Sequence, residues 1–451
     1  MAKEKKMKRA PIGSLQVDVE PMLEWNNLKP EDFAPATNEE KADFIQQRKS
    51  VSYWADAWRR LRKNTVAMVA LGVLVIIILF AFMGPMVVPY GYEEFTKGAE
   101  NIHPWHYSLE DQAKVAAEME AHSGSGVLSP DEAVAKAIAE AEAKGETLSA
   151  TQIAIIRGKA RAAAESANES GEVLTEAQAR EKLGIRAKLG GYSNGELQRI
   201  ANGEKIFPHL FGTDKFGRDI MVRVMVGTRV SMLVGVCAAL LVLVIGAAYG
   251  SISGYLGGKV DTVMQRIVEI IYSVPEVLVI LLLSSMLKGP LEAFMSKGGA
   301  IGSLATVLGA NLISMFLAFA MLYWVSMSRI IRGQVLQIKQ QEYVTAARAL
   351  GASSGRVIKR HLLPNCIGQL VVTTCLQIPS AIFLESFLSF LGVGVSAPMT
   401  SLGYMASEAL MGMYTYPYRL LFPAIILSVM ILSFNLFGDG LRDALDPRLK
   451  K

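Results

Sequence analysis

The chain alternates long apolar blocks with charged ones, on a scale far longer than the period of a helix or strand. Val66 to Val88, Val230 to Leu256, Gly298 to Ser328 and Leu420 to Gly438 carry no charge. Ile267 to Leu287 has only Glu269 and Glu276, with Pro275 inside it, and Ile367 to Leu391 has only Glu385. A helix of about 20 apolar residues crosses a bilayer, so six spans are predicted. Lys and Arg set the orientation. Arg59, Arg60, Arg62 and Lys63 precede the first span, and Arg329, Arg332, Lys339, Arg348, Arg356, Lys359 and Arg360 follow the fourth. Arg442, Arg448, Lys450 and Lys451 follow the sixth, so both termini are expected in the cytoplasm. The polar residues 1–63 hold no cleavable signal pattern, and the first apolar run is expected to remain as an anchor.

The polar segments differ in kind. Residues 1–50 lack periodicity and predict a flexible arm. In Ser52 to Lys63, Trp54, Trp58 and Leu61 share a helical face beside a basic end, as an interfacial helix requires. Residues 90–229 predict a small helical insert on the outer face. Ser108, Ser129, Ser149, Thr175 and Ser193 each stand three residues before an acid or Gln, which predicts repeated helix caps. Its last part, Phe211 to Arg229, predicts a structural elbow rich in Gly, Asp and Arg.

Glu342 to Pro364 is a basic island between two spans. Helix formers fill Tyr343 to Leu350, and Gly351 stands at the C′ position. Ser353 or Ser354 is placed to cap a second short helix, which Pro364 helps to end. Val344, Ala347 and Leu350 line one face of the first helix; Val357, Ile358, His361 and Leu362 line one of the second. Such a knob on a membrane domain needs a soluble partner to grip it. A DNA-binding helix-turn-helix is disfavoured, because apolar spans leave no room for a third soluble helix.

Composition adds compartment and exclusions. With 51% hydrophobic and 19% charged residues, the chain is a polytopic membrane protein with some soluble material. Cys237, Cys366 and Cys375 lie in or beside apolar segments, with no disulfide or zinc spacing. His103 and His106 alone make a weak metal pair. Ser253 to Val260 lacks the first Gly and final Ser/Thr of a phosphate-binding loop, and no zinc-protease or nucleophile-elbow motif occurs. The chain is therefore expected not to be an enzyme. Glu276 and Glu385 are the candidates for a substrate path, because a carboxylate in a span is costly unless it meets a cavity or a partner. A packing hydrogen bond is the alternative role for each.

Several stretches resemble ATP-binding-cassette importer permeases of the dipeptide/oligopeptide family, second permease subunit type. The family's coupling loop reads Glu-Ala-Ala, three residues, Gly, nine residues, Ile, one residue, Leu-Pro. Here Thr345, Ala346, Ala347, Gly351, His361, Leu363 and Pro364 take those places, with Thr345 for Glu and His361 for Ile. Gly212, Thr213, Asp214, Gly217, Arg218 and Asp219 match the family's G-T-D-x-x-G-R-D completely. Leu384 to Pro398 and Asn435 to Lys450 extend the likeness, with Leu402 where the family often has Trp. It covers Ser52 to Val88 and Phe211 to Lys451; the insert and the first fifty residues fall outside it.

The resemblance implies an all-α, six-span type I importer permease fold, with Glu342, Thr345, Ala346, Ala347, Leu350, Gly351, His361, Leu363 and Pro364 as the ATPase-coupling residues. It implies a second homologous permease subunit, two ATPase subunits holding ATP and Mg, and an extracytoplasmic substrate-binding protein, in a bacterial inner membrane. It implies no cofactor or metal on this chain and no nucleic-acid partner. Peptide is the expected substrate, with nickel or glutathione as alternatives. A proton-coupled transporter with Glu276 and Glu385 as relays, or a membrane scaffold or sensor, are the rival classes. The expected divisions are 1–63, a first span at 64–89, the insert and elbow at 90–229, a permease core at 230–438 with its coupling loop at 342–364, and a tail at 439–451.

Overall fold

The computed structural model describes residues 52–122, 133–134, 136–138, 150–169, 174–296 and 309–445. The expected arm at 1–50, the caps at Ser129 and Ser149, the start of the fourth span and the tail from 446 lie outside these residues. The chain divides into two units, up to Asp56 and from Ala57 onward. Of the first, residues 52–56 are described, the start of helix α1 (Tyr53–Leu61).

Among the described residues six helices are long and apolar enough to cross a membrane. The first is α2 (Thr65–Val87), capped by Asn64, whose Oδ1 accepts from the Ala67 N–H at 3.1 Å. The insert follows. A two-stranded antiparallel ribbon pairs β1 (Trp105–His106) with β2 (Lys188–Leu189). Around it lie helices α3 (Leu109–His122), α4 (Ala150–Glu169), α5 (Glu176–Lys182) and α6 (Asn194–Ala201). The capping boxes at Thr175 and Ser193 form as expected, each with reciprocal side-chain and backbone bonds. At Ser108 the hydroxyl accepts from the Asp111 N–H.

The second span, α7 (Ile220–Leu256), starts ten residues before the expected Val230 and so takes in the second half of the elbow. Asp219 caps it by accepting from the Val222 N–H at 2.9 Å. The Gly, Asp and Arg content of the segment predicted an elbow, but Arg223 is helical and its charge is neutralised inside the protein by Asp214 and Glu408. The expected third span is broken. α8 (Gly258–Tyr272) ends before Pro275, and α9 (Glu276–Met295) starts after it. Proline has no N–H to donate and disfavours helical geometry at the residue before it. The fourth span is α10 (Ala310–Leu322) followed by α11 (Val325–Ile338). After α12 (Glu342–Ala349) and α13 (Ser354–Val357) the chain runs through a π turn at Ile358–Leu362 and a 3₁₀ turn at Leu363–Cys366 into α14 (Ile367–Phe390). Pro364 therefore does not end the second short helix. It sits in the 3₁₀ turn, where a missing N–H is tolerated, and the helical path continues from Ser354 to Phe390. α15 (Leu402–Ala409) and the sixth span, α16 (Tyr418–Leu445), complete the chain.

A glycine stripe draws the spans together. A Cβ on Gly246, Gly250 or Gly254 would stand 2.6 Å from Met327 Cβ, 2.4 Å from the Ser328 carbonyl and 2.9 Å from the Arg332 carbonyl, respectively. α7 and α11 thus pack backbone to backbone, as small residues at fourfold spacing permit in a bilayer.

Candidate functional site

The coupling stretch lies at the Leu256 end of α7 and the insert at its Ile220 end, roughly 55 Å apart along a helix of 37 residues. In the coupling stretch α12 closes with a Schellman turn. Gly351 N–H donates to the Arg348 carbonyl and Ala352 N–H to the Ala347 carbonyl, with Gly351 at φ +81°. The expected Ser353 cap makes no side-chain bond.

Side-chain burial divides the predicted faces. Val344, Val357 and Leu362 are fully buried, in one cluster with Val268 of α8 and Ile331 and Val335 of α11. Tyr343 and Leu350 are left outward, Leu350 at 89% exposure, while Ala347 is half-buried. Glu342, Thr345, Ala346 and Pro364 are exposed, and His361 and Leu363 half-buried. The stretch is anchored to the permease by one side and shows an apolar tip on the other. Nearby, Asp261 of α8 takes a bidentate ion pair from Arg332, both bonds 2.6 Å. That guanidinium holds the Asp261 carboxyl below its ordinary range.

The two candidate acids have opposite surroundings. Glu385 is fully buried. It accepts from Ser231 of α7 at 2.8 Å, Ser389 at 2.7 Å and Ser386 at 3.1 Å. Ser231 also receives the Leu402 N–H, so the knot joins α7, α14 and α15. Full burial and three serine donors fit the packing role that was the alternative for this residue. Glu276 is exposed and lines two cavities, of about 310 and about 290 Å³. Tyr323 lines both with it, and Ser380 and Asn435 line the second. The structure does not bring the two acids together. The sequence placed Pro275 and Glu276 inside one expected span, and nothing in it pointed to Tyr323, Ser380 or Asn435.

At the insert end, the elbow motif builds two charge clusters. Asp214 pairs with Arg218 at 2.6 Å and Arg223 at 2.8 Å, and both arginines reach Glu408 of α15, at 3.2 and 2.6 Å. Behind them His209 is fully buried between two carboxylates, with Nδ1 2.7 Å from Asp219 and Nε2 3.4 Å from Glu196 of α6. Its ring stacks on Tyr90. Burial alone would lower its pKa, but hydrogen bonds to Asp219 and Glu196 hold it up at about 9. The doubly donating imidazolium fits both contacts. Burial opposes the Glu196 charge, yet the bond from His209 keeps its carboxyl below the usual range. The insert also touches the core through His103, packed against Tyr416 and Tyr418, and through Ile102, whose N–H donates to Thr213. The His106 ring bonds to the Gly190 carbonyl at 2.6 Å. The His209 clamp was not expected from the sequence; a histidine in an otherwise apolar Phe207 to Phe211 was its only signal.

Comparison with known proteins agrees with this architecture. Residues 246–451 match the family model for the binding-protein-dependent transport system inner membrane component. Residues 52–104 match the N-terminal TM domain of oligopeptide transport permease C. The oligopeptide transport system permease protein OppC of Bacillus subtilis is 46% identical over 243 residues, 54% of this chain and 73% of that one. OppC of Escherichia coli K12 is 45% identical over 240 residues, 53% and 72%. The dipeptide transport system permease protein DppC of Lactococcus lactis is 32% identical over 399 residues, 88% and 92%. That last match leaves fewer residues uncovered than the insert contains, so the likeness extends into the insert, beyond the limits expected from motifs. Six apolar spans, the family models and these relatives place the chain in one family: it belongs to the binding-protein-dependent transport system inner membrane components, among the oligopeptide and dipeptide transport permeases.

Proposed function

We propose that this chain is one permease subunit of an ATP-driven peptide importer and forms half of the translocation pathway. A second homologous permease supplies the other half. An extracytoplasmic binding protein delivers peptide at the insert face, and two ATPase subunits, which hold ATP and Mg, dock at the coupling face. Both termini lie in the cytoplasm. The observation that carries this reading is the divided coupling stretch. Val344, Val357 and Leu362 root it in the core while Tyr343 and Leu350 stay outside. A large apolar side chain at 89% exposure on a polar loop is what a docking partner would cover.

The rooted cluster also suggests the path of the stroke. It runs through α8 and α11 and reaches Ile271 and Tyr323, which line a cavity at Glu276. A push on α12 would be passed through close-packed side chains to the wall of that cavity. The insert, tied to α7 by the His209 clamp, is placed to form part of the binding-protein docking surface.

The test is a cysteine at Ala347, in the complete complex, with a cysteine in the groove of the ATPase. Crosslinking and ATP-dependent peptide uptake are expected. Free labelling of Ala347→Cys in the assembled complex would count against docking. Uptake that needs a proton gradient but no ATP would establish the proton-coupled alternative.

A further inference from the structure

Glu276 has what a buried packing acid lacks: open space and, among the described residues, no partner. Among the described residues its carboxylate accepts no hydrogen bond and makes no ion pair. The cavity of about 290 Å³ beside it is walled by α9, α14 and α16. Among the described residues Glu276 is the only charged one lining it. The hydroxyls of Ser380 and Tyr323 and the amide of Asn435 share that wall, and Val277, Phe383 and Ile431 supply apolar surface.

An unpaired carboxylate in an apolar span is costly, and such residues mark substrate paths. A primary ammonium has three donors and no acceptor. A carboxylate, a serine hydroxyl and an amide carbonyl around one small cavity provide three acceptors and a compensating charge. The apolar remainder of the wall carries no further polar demand, so it tolerates varied side chains. Resting on the importer reading, we infer that Glu276 and its cavity form a transit site for the protonated amino terminus of the peptide. The site recognises the one cation that unmodified peptides share, and leaves their sequence unread. The same side chains touch the core cluster of the coupling stretch through Tyr323, so the site lies where a coupling stroke would reshape it.

The test uses the complete transporter in proteoliposomes, with a labelled alanine tripeptide. Glu276→Gln is expected to lower ATP-driven uptake about tenfold while ATPase stimulation by loaded binding protein persists; Glu276→Asp should retain at least a third of uptake. Gln uptake within twofold of the parent overturns the inference. So does an equal fall of uptake and ATPase stimulation in both variants, which would mark a structural role. A second measurement covers a Gln variant that fails to assemble. Ser380→Cys, in a background without Cys237, Cys366 and Cys375, is treated with cationic and anionic thiosulfonates of equal size. A cavity focused by one carboxylate should favour the cation at least about tenfold, and added peptide should slow that reaction. Equal rates, or no protection by peptide, overturn the site. Absence of ATP-driven uptake in the parent complex would instead overturn the importer reading itself.

Discussion

Raising the pH should loosen the join between insert and spans where a charged histidine clamps it. His209 has a folded-state pKa of about 9 against an ordinary 6.5. A pKa raised by folding stabilises the folded state fully below the unfolded value, and the stabilisation is lost as pH rises through the folded value. The rise to about 9, at about 1.4 kcal/mol per pH unit, is on the order of 3 kcal/mol below pH 6.5. About 2 kcal/mol remains at pH 7.5, and almost none by pH 9.5. The assay is amide hydrogen exchange in Asn194–Ala201 and at residues 208–213, in detergent, as protection factors that remove intrinsic base catalysis. Protection against the opening that frees His209 from Asp219 and Glu196 should fall about a hundredfold between pH 6.5 and 9.5. His209→Gln carries no titrating charge and leaves both carboxylates without their cation. Its protection should be low and nearly flat with pH. Protection in the parent that does not change across this range would refute the clamp.

Two further perturbations follow from the geometry. At Gly351 a Cβ meets nothing within 4 Å, so the cost of substitution is backbone strain at φ +81°, roughly 1–2 kcal/mol and more for a β-branched residue. Uptake should fall in the order Gly, Asn, Asp, Val while membrane insertion, followed by immunoblot, stays normal; full uptake by Gly351→Val would show that the turn does not matter to coupling. At Glu385, Gln keeps one acceptor oxygen for Ser231 and Ser386, and its amide N–H can donate to the Ser389 hydroxyl, so it should transport within threefold of the parent, whereas Glu385→Leu strands the three hydroxyls at about 1–3 kcal/mol each and should reduce the yield of assembled complex, as read by size-exclusion chromatography; a strong transport defect in Glu385→Gln with normal assembly would move Glu385 onto the substrate path.

The six spans were legible in the sequence because crossing a bilayer depends on apolar length, a property of each segment alone. The turn at Gly351 and the caps at Thr175 and Ser193 were legible for the same reason, since their partners lie within a few residues. Only tertiary structure gave two similar intramembrane acids opposite surroundings, one buried and hydrogen-bonded and the other beside open space. The partner that neutralises the interest of Glu385 is Ser231, far away in the chain, and the space that distinguishes Glu276 is walled by three separate helices. Distance in sequence also hid the start of the second span. Arg223 reads as part of an elbow until Asp214 and Glu408 close on it, because the cost of burying a charge is set by neighbours that folding supplies.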